Sequence, residues 1–271
     1  MNTKPKLPEQ TDANTFQLRK WYADCVSDSG DAIIIYFGFA RSKKISLYYS
    51  CLLQLIGNEP PRAQYSIRRS KEPIFDGATL SWRSPAFRFE GIWRTVDAHY
   101  SETVFSSERG TVEWNCLQPR ATLEICFGKS RLRGLGYSEQ LLMTVPPWEI
   151  PIERLLWGRF LSDTDSLVWM DWRGPVAKRV LLHNGAALIG REVTEDGVIC
   201  ASGEELTFSE RVALRKGTLG SSALGKVPGA TKFLPRQVLG VQETKWRSRA
   251  LLRKSTGFSC GWAIHESVIW P

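Results

Sequence analysis

Between Trp21 and Pro271 no stretch sustains the 3.6-residue apolar stripe of an amphipathic helix, whereas short apolar or alternating runs recur between turn residues. Residues 32–37 form a continuous apolar run after a turn at 28–31. Residues 44–55 read as a long strand, although Ile45, Tyr48, Leu52 and Leu55 would also suit a helix. Segments 64–68, 79–82, 87–90 and 91–96 follow as short alternating strands, punctuated at 58–61, 75–77, 84–85 and 108–110. A second series covers 167–172, 178–183, 187–190, 197–200, 205–208, 244–247 and 261–270, with a Gly- and Ser-rich mobile loop expected at 216–229. No repeat of solenoid or propeller length is present. Strands at this spacing describe antiparallel sandwiches or barrels, so the expected fold class is all-β.

At 271 residues the chain is long enough for two domains. Gly134, Gly136, Pro146, Pro147 and Pro151 break the rhythm, and the crossing is expected near the start of that stretch, giving domains of about 15–135 and 136–271. The longest apolar run is far below the 18 or so residues of a spanning helix. The N-terminal residues carry charge without a following apolar stretch, which reads as no secretory signal and a cytoplasmic protein. Six dispersed cysteines and three dispersed histidines show no metal-ligand spacing, so neither metal nor cofactor is expected. A net charge of +8 comes from short scattered basic groups without a nucleic-acid motif. That argues against nucleic acid and leaves a positive field suited to peripheral contact with an anionic membrane surface. Eleven tryptophans are the stronger outlier, because broad aromatic walls suit a pocket for an extended hydrophobic ligand.

Tryptophan gathers with acid, base and tyrosine in three blocks: 21–30, 113–119, and a longer one holding Tyr137, Glu139, Gln140, Trp148, Trp157, Arg159, Trp169 and Trp172. On a strand Tyr137 and Glu139 share a face, as do Trp157 and Arg159. A carboxyl enclosed by indole rings is held towards its neutral form and can protonate an alkene or carbonyl, while aromatic faces stabilise the resulting cation. Arg159 could pair with Glu139 or bind an anionic ligand group. The bland alternative is a polar network that clasps two domains, and Trp114 could plug a core as easily as line a cavity. In the last strand His265 alternates with Ala263 and Ser267, and a buried imidazole there would add a second acid–base group. His183 precedes Asn184 and Gly185, a hairpin signal, and reads as structural.

These short motifs together resemble the two-domain, lipocalin-like family of carotenoid 1,2-hydratase (hydroxyneurosporene synthase). They are residues 21–24 with 27–30, Trp114 with Pro119, Gly136 to Glu139, Trp157 with Arg159, and Asp171 with Trp172. Tocopherol cyclase and the lipocalin-like Diels–Alderases are similar proteins. The resemblance runs from about Trp21 to the C-terminus. It implies two calycin-type antiparallel β-barrels side by side, with a hydrophobic substrate held at or near their interface. It assigns catalysis to Tyr137 and Glu139 and aromatic walls to Trp114 and Trp157, with Gln140 as the amide of the tocopherol-cyclase-like pattern; from the residues themselves, His265 is expected as a substitute base and Arg159 as a substrate contact. Two departures stand out. Where the hydratases have a His two residues before the first of these tryptophans, this chain has Val112, and the Asn-Trp-Gly that follows the Tyr-x-Glu of tocopherol cyclase is missing from 141–144. The implied activity is that of a cofactor-independent lyase, isomerase or cyclase for a polyene, terpenoid or polyketide-like substrate. The alternative is a carrier of an apolar ligand.

Overall fold

The computed structural model describes residues 16–43, 45–222 and 235–271. Its two antiparallel sheets are built from the same connection. In the first, β1 (Gln17–Val26), β2 (Ala32–Ser42), β3 (Ile45–Leu55) and β4 (Arg62–Ser66) form one meander. A second meander comprises β5 (Ile74–Phe75), β6 (Thr79–Ser84), β7 (Phe89–Thr95), β8 (Tyr100–Ser107), β9 (Gly110–Phe127) and β10 (Ser130–Met143). The last strand returns beside the first, so that β1 and β10 pair in the middle of the order β4-β3-β2-β1-β10-β9-β7-β6-β5, with β8 on β9.

The second sheet repeats this with β11 (Arg154–Leu161), β12 (Ser166–Arg173), β13 (Lys178–His183) and β14 (Ala186–Leu188), then β15 (Gly190–Val193), β16 (Gly197–Cys200), β17 (Glu205–Thr218), β18 (Gln242–Lys254) and β19 (Gly257–Ile269). Here β11 and β19 are the central pair. The fold is all-β, with two lipocalin-like barrels.

Each sheet curls around its own core, Ile33, Ile35, Phe37, Trp82 and Trp93 in the first and Phe160, Leu167, Trp169 and Leu181 in the second. A third cluster takes the alternate residues of the same strands from both sheets, including Tyr22, Ile34, Tyr36 and Tyr137 on one side and Trp157, Val168, Met170 and Ile264 on the other. The central strands are therefore buried on both faces. That is why residues 32–37 form an unbroken apolar run rather than an alternating one, as in any strand covered on both sides.

Several sequence expectations shift for definable reasons. Residues 44–55 are strand from Ile45 onward, their apolar positions dividing between two cores rather than lining a helix face. Segments 87–90 and 91–96 merge into β7, entered through a single 3-10 turn at Pro85–Phe87 that ends on Arg88 at φ 50°. β10 runs through Gly134 and Gly136 to Met143, so residue 136 lies within a strand and the chain leaves the first sheet over 144–153. Gly136 permits close approach instead of a turn, since a Cβ there would stand 2.1 Å from the Asp24 carbonyl oxygen. Of the expected loop at 216–229, residues 216–218 belong to β17, Leu219–Ser222 form one helical turn, and 223–229 lie outside the described residues.

The two sheets are also joined by buried charge. Arg159 on β11 is fully buried and meets Asp24 on β1, likewise buried, with Nη2 2.7 Å from Oδ1 and Nε 3.2 Å from both carboxylate oxygens. Its Nη1 donates to the Trp262 carbonyl at 2.8 Å, and Tyr22 Oη donates to Asp24 Oδ2 at 2.8 Å. Nearer the rim, Arg120 pairs with Asp97 at 2.9 Å and donates to the Asp163 carbonyl at 3.0 Å, while Ser166 Oγ donates to Asp97. Removing one partner of a buried pair strands the other charge and costs about 3–5 kcal/mol. Arg159→Met is therefore expected to lower stability in urea by about that amount, and Asp24→Asn combined with Arg159→Met by clearly less than the sum of the single losses. Additive losses would show that the pair does not couple the sheets.

Candidate functional site

Where the third cluster is incompletely filled, a cavity of about 380 Å³ lies between the barrels. Its walls are apolar, with Leu18, Val104, Val112, Leu141 and Met143 from the first sheet facing Leu155, Met170, Trp172 and Val268 from the second. Val112, at the position where the resemblance has histidine, is one of these apolar walls. Polar side chains enter at two places.

The first is Glu139. Register shifts on either side of Ser138 mark an irregularity in the β9–β10 ladder, and Tyr137 within it and Glu139 at its end both face the second sheet. One carboxylate oxygen, Oε2, accepts three hydrogen bonds: from Trp114 Nε1 at 2.6 Å, Tyr137 Oη at 2.8 Å and Trp157 Nε1 at 3.1 Å. An indole N–H can only donate, so Oε2 acts as an acceptor and a proton on this carboxyl belongs on Oε1. Burial, followed by the charges of Cys116 and Glu139, pushes the Tyr137 phenol well above its ordinary pKa and keeps it a donor. The four side chains come from three strands, β9, β10 and β11, with Trp157 crossing from the second sheet to close the cluster.

The second polar region is a row across β11, β19 and β18. Trp157 lies opposite Glu266, and Glu266 opposite Lys245. Lys245 is 1% exposed, forms an ion pair with Glu266, and stands 4.9 Å from the Trp157 ring centroid and 5.4 Å from that of Tyr22. Burial works against ionisation of Glu266, but Lys245 and Lys20 outweigh it and hold this carboxyl below the usual range. Arg215 on β17 lies opposite Lys245, forms an ion pair with Glu243 two residues before Lys245 on β18, and stands 5.3 Å from the Tyr36 ring centroid. Glu266, Glu243, Arg215, Lys20 and Tyr36 all line the cavity.

The structure thus brings together Glu139, Tyr137, Trp114 and Trp157, with Tyr137 reaching Glu139 from behind rather than lining the cavity. It separates the other three expected residues. Arg159 is held by Asp24 instead of Glu139 and does not line the cavity, because β1, not β10, lies across from it. Gln140 occupies the opposite face of β10 from Glu139 and does not line the cavity either.

His265 faces the core of the second barrel, on the opposite side of β19 from Glu266. It stacks on Phe208 at 4.1 Å and Trp246 at 5.1 Å, and bonds Ser248 Oγ through Nε2 at 2.8 Å. It therefore does not supply a second acid–base group to the cavity. Lys245, Glu243 and Arg215, which the sequence did not single out, come from β18 and β17 and meet Glu266 of β19, the neighbour of His265, only through strand register. Asp24 lay in a recognised block but reads there as part of a strand leading to a turn.

Burial, aided by Arg211 and Lys245, depresses the His265 pKa to about 3. A folded-state value below the ordinary 6.5 has no effect on stability above that pH. As pH falls from 6.5 towards 3, the unfolded chain takes up a proton that the folded one refuses, and stability is lost. His265→Gln is expected to flatten the decline in urea-unfolding stability between pH 6.5 and 3 relative to the parent. Parallel curves would show that the imidazole titrates normally.

No protein-family model and no curated protein matches the chain. Solved structures share its fold. Kievitone hydratase from Nectria haematococca superposes with a TM-score of 0.54 at 8% identity, over 93% of this chain and 88% of that one. CghA gives 0.53 at 11% identity over the same shares, also in its structure with Sch210972. A putative AttH from Nitrosomonas europaea gives 0.52 at 9% identity, over 97% of this chain and 98% of that one.

Proposed function

We propose that the chain is a cofactor-independent lyase, isomerase or cyclase acting on a polyene, terpenoid or polyketide-like substrate in the cavity between its barrels, with Glu139 as the proton donor. The observation that carries this reading is the asymmetry of one carboxyl group. Three donors fix Oε2, while Oε1 has no protein partner among the described residues and belongs to a residue lining an apolar cavity. A proton on Oε1 is transferred to an alkene carbon or carbonyl oxygen, leaving a carbocation or an activated carbonyl and a carboxylate already held by three hydrogen bonds. Those bonds strengthen as negative charge develops, which favours the transition state over the ground state.

Three outcomes balance. Loss of a neighbouring proton back to Oε1 gives isomerisation; attack by an internal double bond closes a ring and moves the cation, which then loses a proton to Oε1, giving cyclisation; capture by water, whose extra proton passes to Oε1, gives hydration. Lys245 occupies one face of Trp157, so Trp114 is the better placed ring to stabilise positive charge on the substrate. The enclosure also favours reaction by holding an extended chain in a folded conformation. The fold being shared with a hydratase supports the reading. Among the described residues no helix is long and apolar enough to cross a membrane; a cytoplasmic location, with the basic surface available for peripheral membrane contact, belongs to this proposal.

Glu139→Gln tests it. The amide oxygen can take the place of Oε2 and keep all three hydrogen bonds, so only the transferable proton is lost. With the molecule extracted from native protein as substrate, turnover is expected to fall by about 10²–10⁴-fold while affinity changes only a few-fold. A carrier would bind equally well and show no turnover in either form.

A further inference from the structure

Most of the polar atoms around the cavity are already matched. The indole N–H groups of Trp114 and Trp157 go to Glu139, Arg215 goes to Glu243, and Lys245 to Glu266. Three are not. The indole Nε1 of Trp172 on the second sheet and the phenol oxygens of Tyr36 and Tyr49 on the first are buried without a protein hydrogen-bond partner, and all three side chains line the cavity. Tyr49 has the Cys51 thiol beside it; Trp172 and Tyr36, 7% and 5% exposed, come from opposite sheets and carry the argument.

An indole N–H has no acceptor role to fall back on. Left unmatched in a desolvated wall, such a group is costly, and buried polar groups in native proteins nearly always have partners. Nothing in the packing requires the phenol oxygen: a phenylalanine at position 36 would keep the ring contacts and remove the unmatched group. Burial pushes the Tyr36 phenol well above its ordinary pKa, so it too remains a hydrogen-bond donor.

We propose that Trp172 and Tyr36 are specificity-determining residues that donate hydrogen bonds to oxygen acceptors on the bound molecule, so that the substrate is an oxygenated apolar compound and not a hydrocarbon. This deepens the reading of the cavity as the substrate site and rests on it. Because the two donors belong to opposite sheets, a substrate using both has acceptor oxygens reaching opposite walls, with its carbon skeleton against Met170, Leu141 and Val268. A carbonyl, ester or hydroxyl group satisfies the requirement. A pure polyene leaves both donors unmatched and is disfavoured, since a site with buried polar groups rejects an analogue that lacks the matching group.

Two probes with the same fifteen-carbon skeleton separate the possibilities: β-farnesene, a hydrocarbon, and farnesal, its aldehyde counterpart. Titrated against the full-length protein by tryptophan fluorescence, farnesal is expected to bind at least about tenfold tighter, the effect of matching one buried donor. Trp172→Phe and Tyr36→Phe are each measured with both probes. At least one is expected to weaken farnesal by about threefold or more, with farnesene unchanged within about twofold.

Equal affinity of the parent for the two probes, or variants that weaken both equally, would overturn the assignment while leaving the apolar cavity standing. Failure of both probes to bind at all would overturn the assignment and the reading of the cavity together. Should Trp172→Phe fail to fold, as judged by circular dichroism, Tyr36→Phe removes a single oxygen and carries the test alone.

Discussion

The strands at the centre of each sheet have no face left for water. β1 and β10 cover the first core on one side and meet the second barrel on the other, and β11 and β19 do the same in reverse. Every side chain that these strands send into the shared layer must therefore be apolar or find a partner across it. Asp24 and Arg159 meet that demand by crossing the layer, and Tyr22, Trp262 and the ring stack around them complete the match. The ion pair need not add much net stability. Its consequence is geometric: it fixes Trp157, two residues before Arg159 on the same strand face, against the first barrel.

From that placement the site follows. Trp157 brings its N–H to a carboxyl on the other sheet, and its ring to Lys245 on its own. It stands between the two polar regions of the cavity, with Tyr22 at 5.0 Å and Tyr137 at 5.5 Å packed edge-on against it. The T-shaped contacts of these rings hold the indole plane while leaving its N–H free to bond, a geometry that aromatic quadrupoles favour. Neither barrel alone contains the constellation. Trp114, Tyr137 and Glu139 need Trp157 from the second domain, and the charged row beneath needs Tyr22 and Tyr36 from the first.

Much of this was legible in the sequence. The strand rhythm and, more heavily, the family resemblance pointed to the fold class, and the i, i+2 spacing of Tyr137 and Glu139 placed a phenol beside a carboxyl, as found. The hairpin after His183 is also as read, with Asn184 at φ 50° and Gly185 at φ 78°. What could not be read was the pairing between strands distant in sequence. Arg159 and Glu139 each have the right chemistry to pair, but the strand facing Arg159 begins over 130 residues earlier. Likewise His265 and Glu266 are neighbours in the chain, and the strand's period of two sends one into a barrel core and the other to the cavity. Glycine was the other source of error: Gly134 and Gly136 have the composition of a turn and the function of allowing two backbones to touch.

The charges of the cavity say something that the overall charge does not. The chain carries a net +8, yet beside the cavity Arg215 is matched by Glu243 and Lys245 by Glu266. The basic excess lies elsewhere, so it cannot act by drawing an anion into this site. Charges matched in this way leave the shape of the cavity and its unmatched donors as what an entering molecule meets. Val112 stands where the resemblance has histidine, and it puts an apolar wall there instead of an imidazole. In the reading proposed above, the carboxylate left after proton transfer is therefore itself the group that takes a proton back, whether from the carbon skeleton or from attacking water, and the three hydrogen bonds on Oε2 hold it in place for both steps.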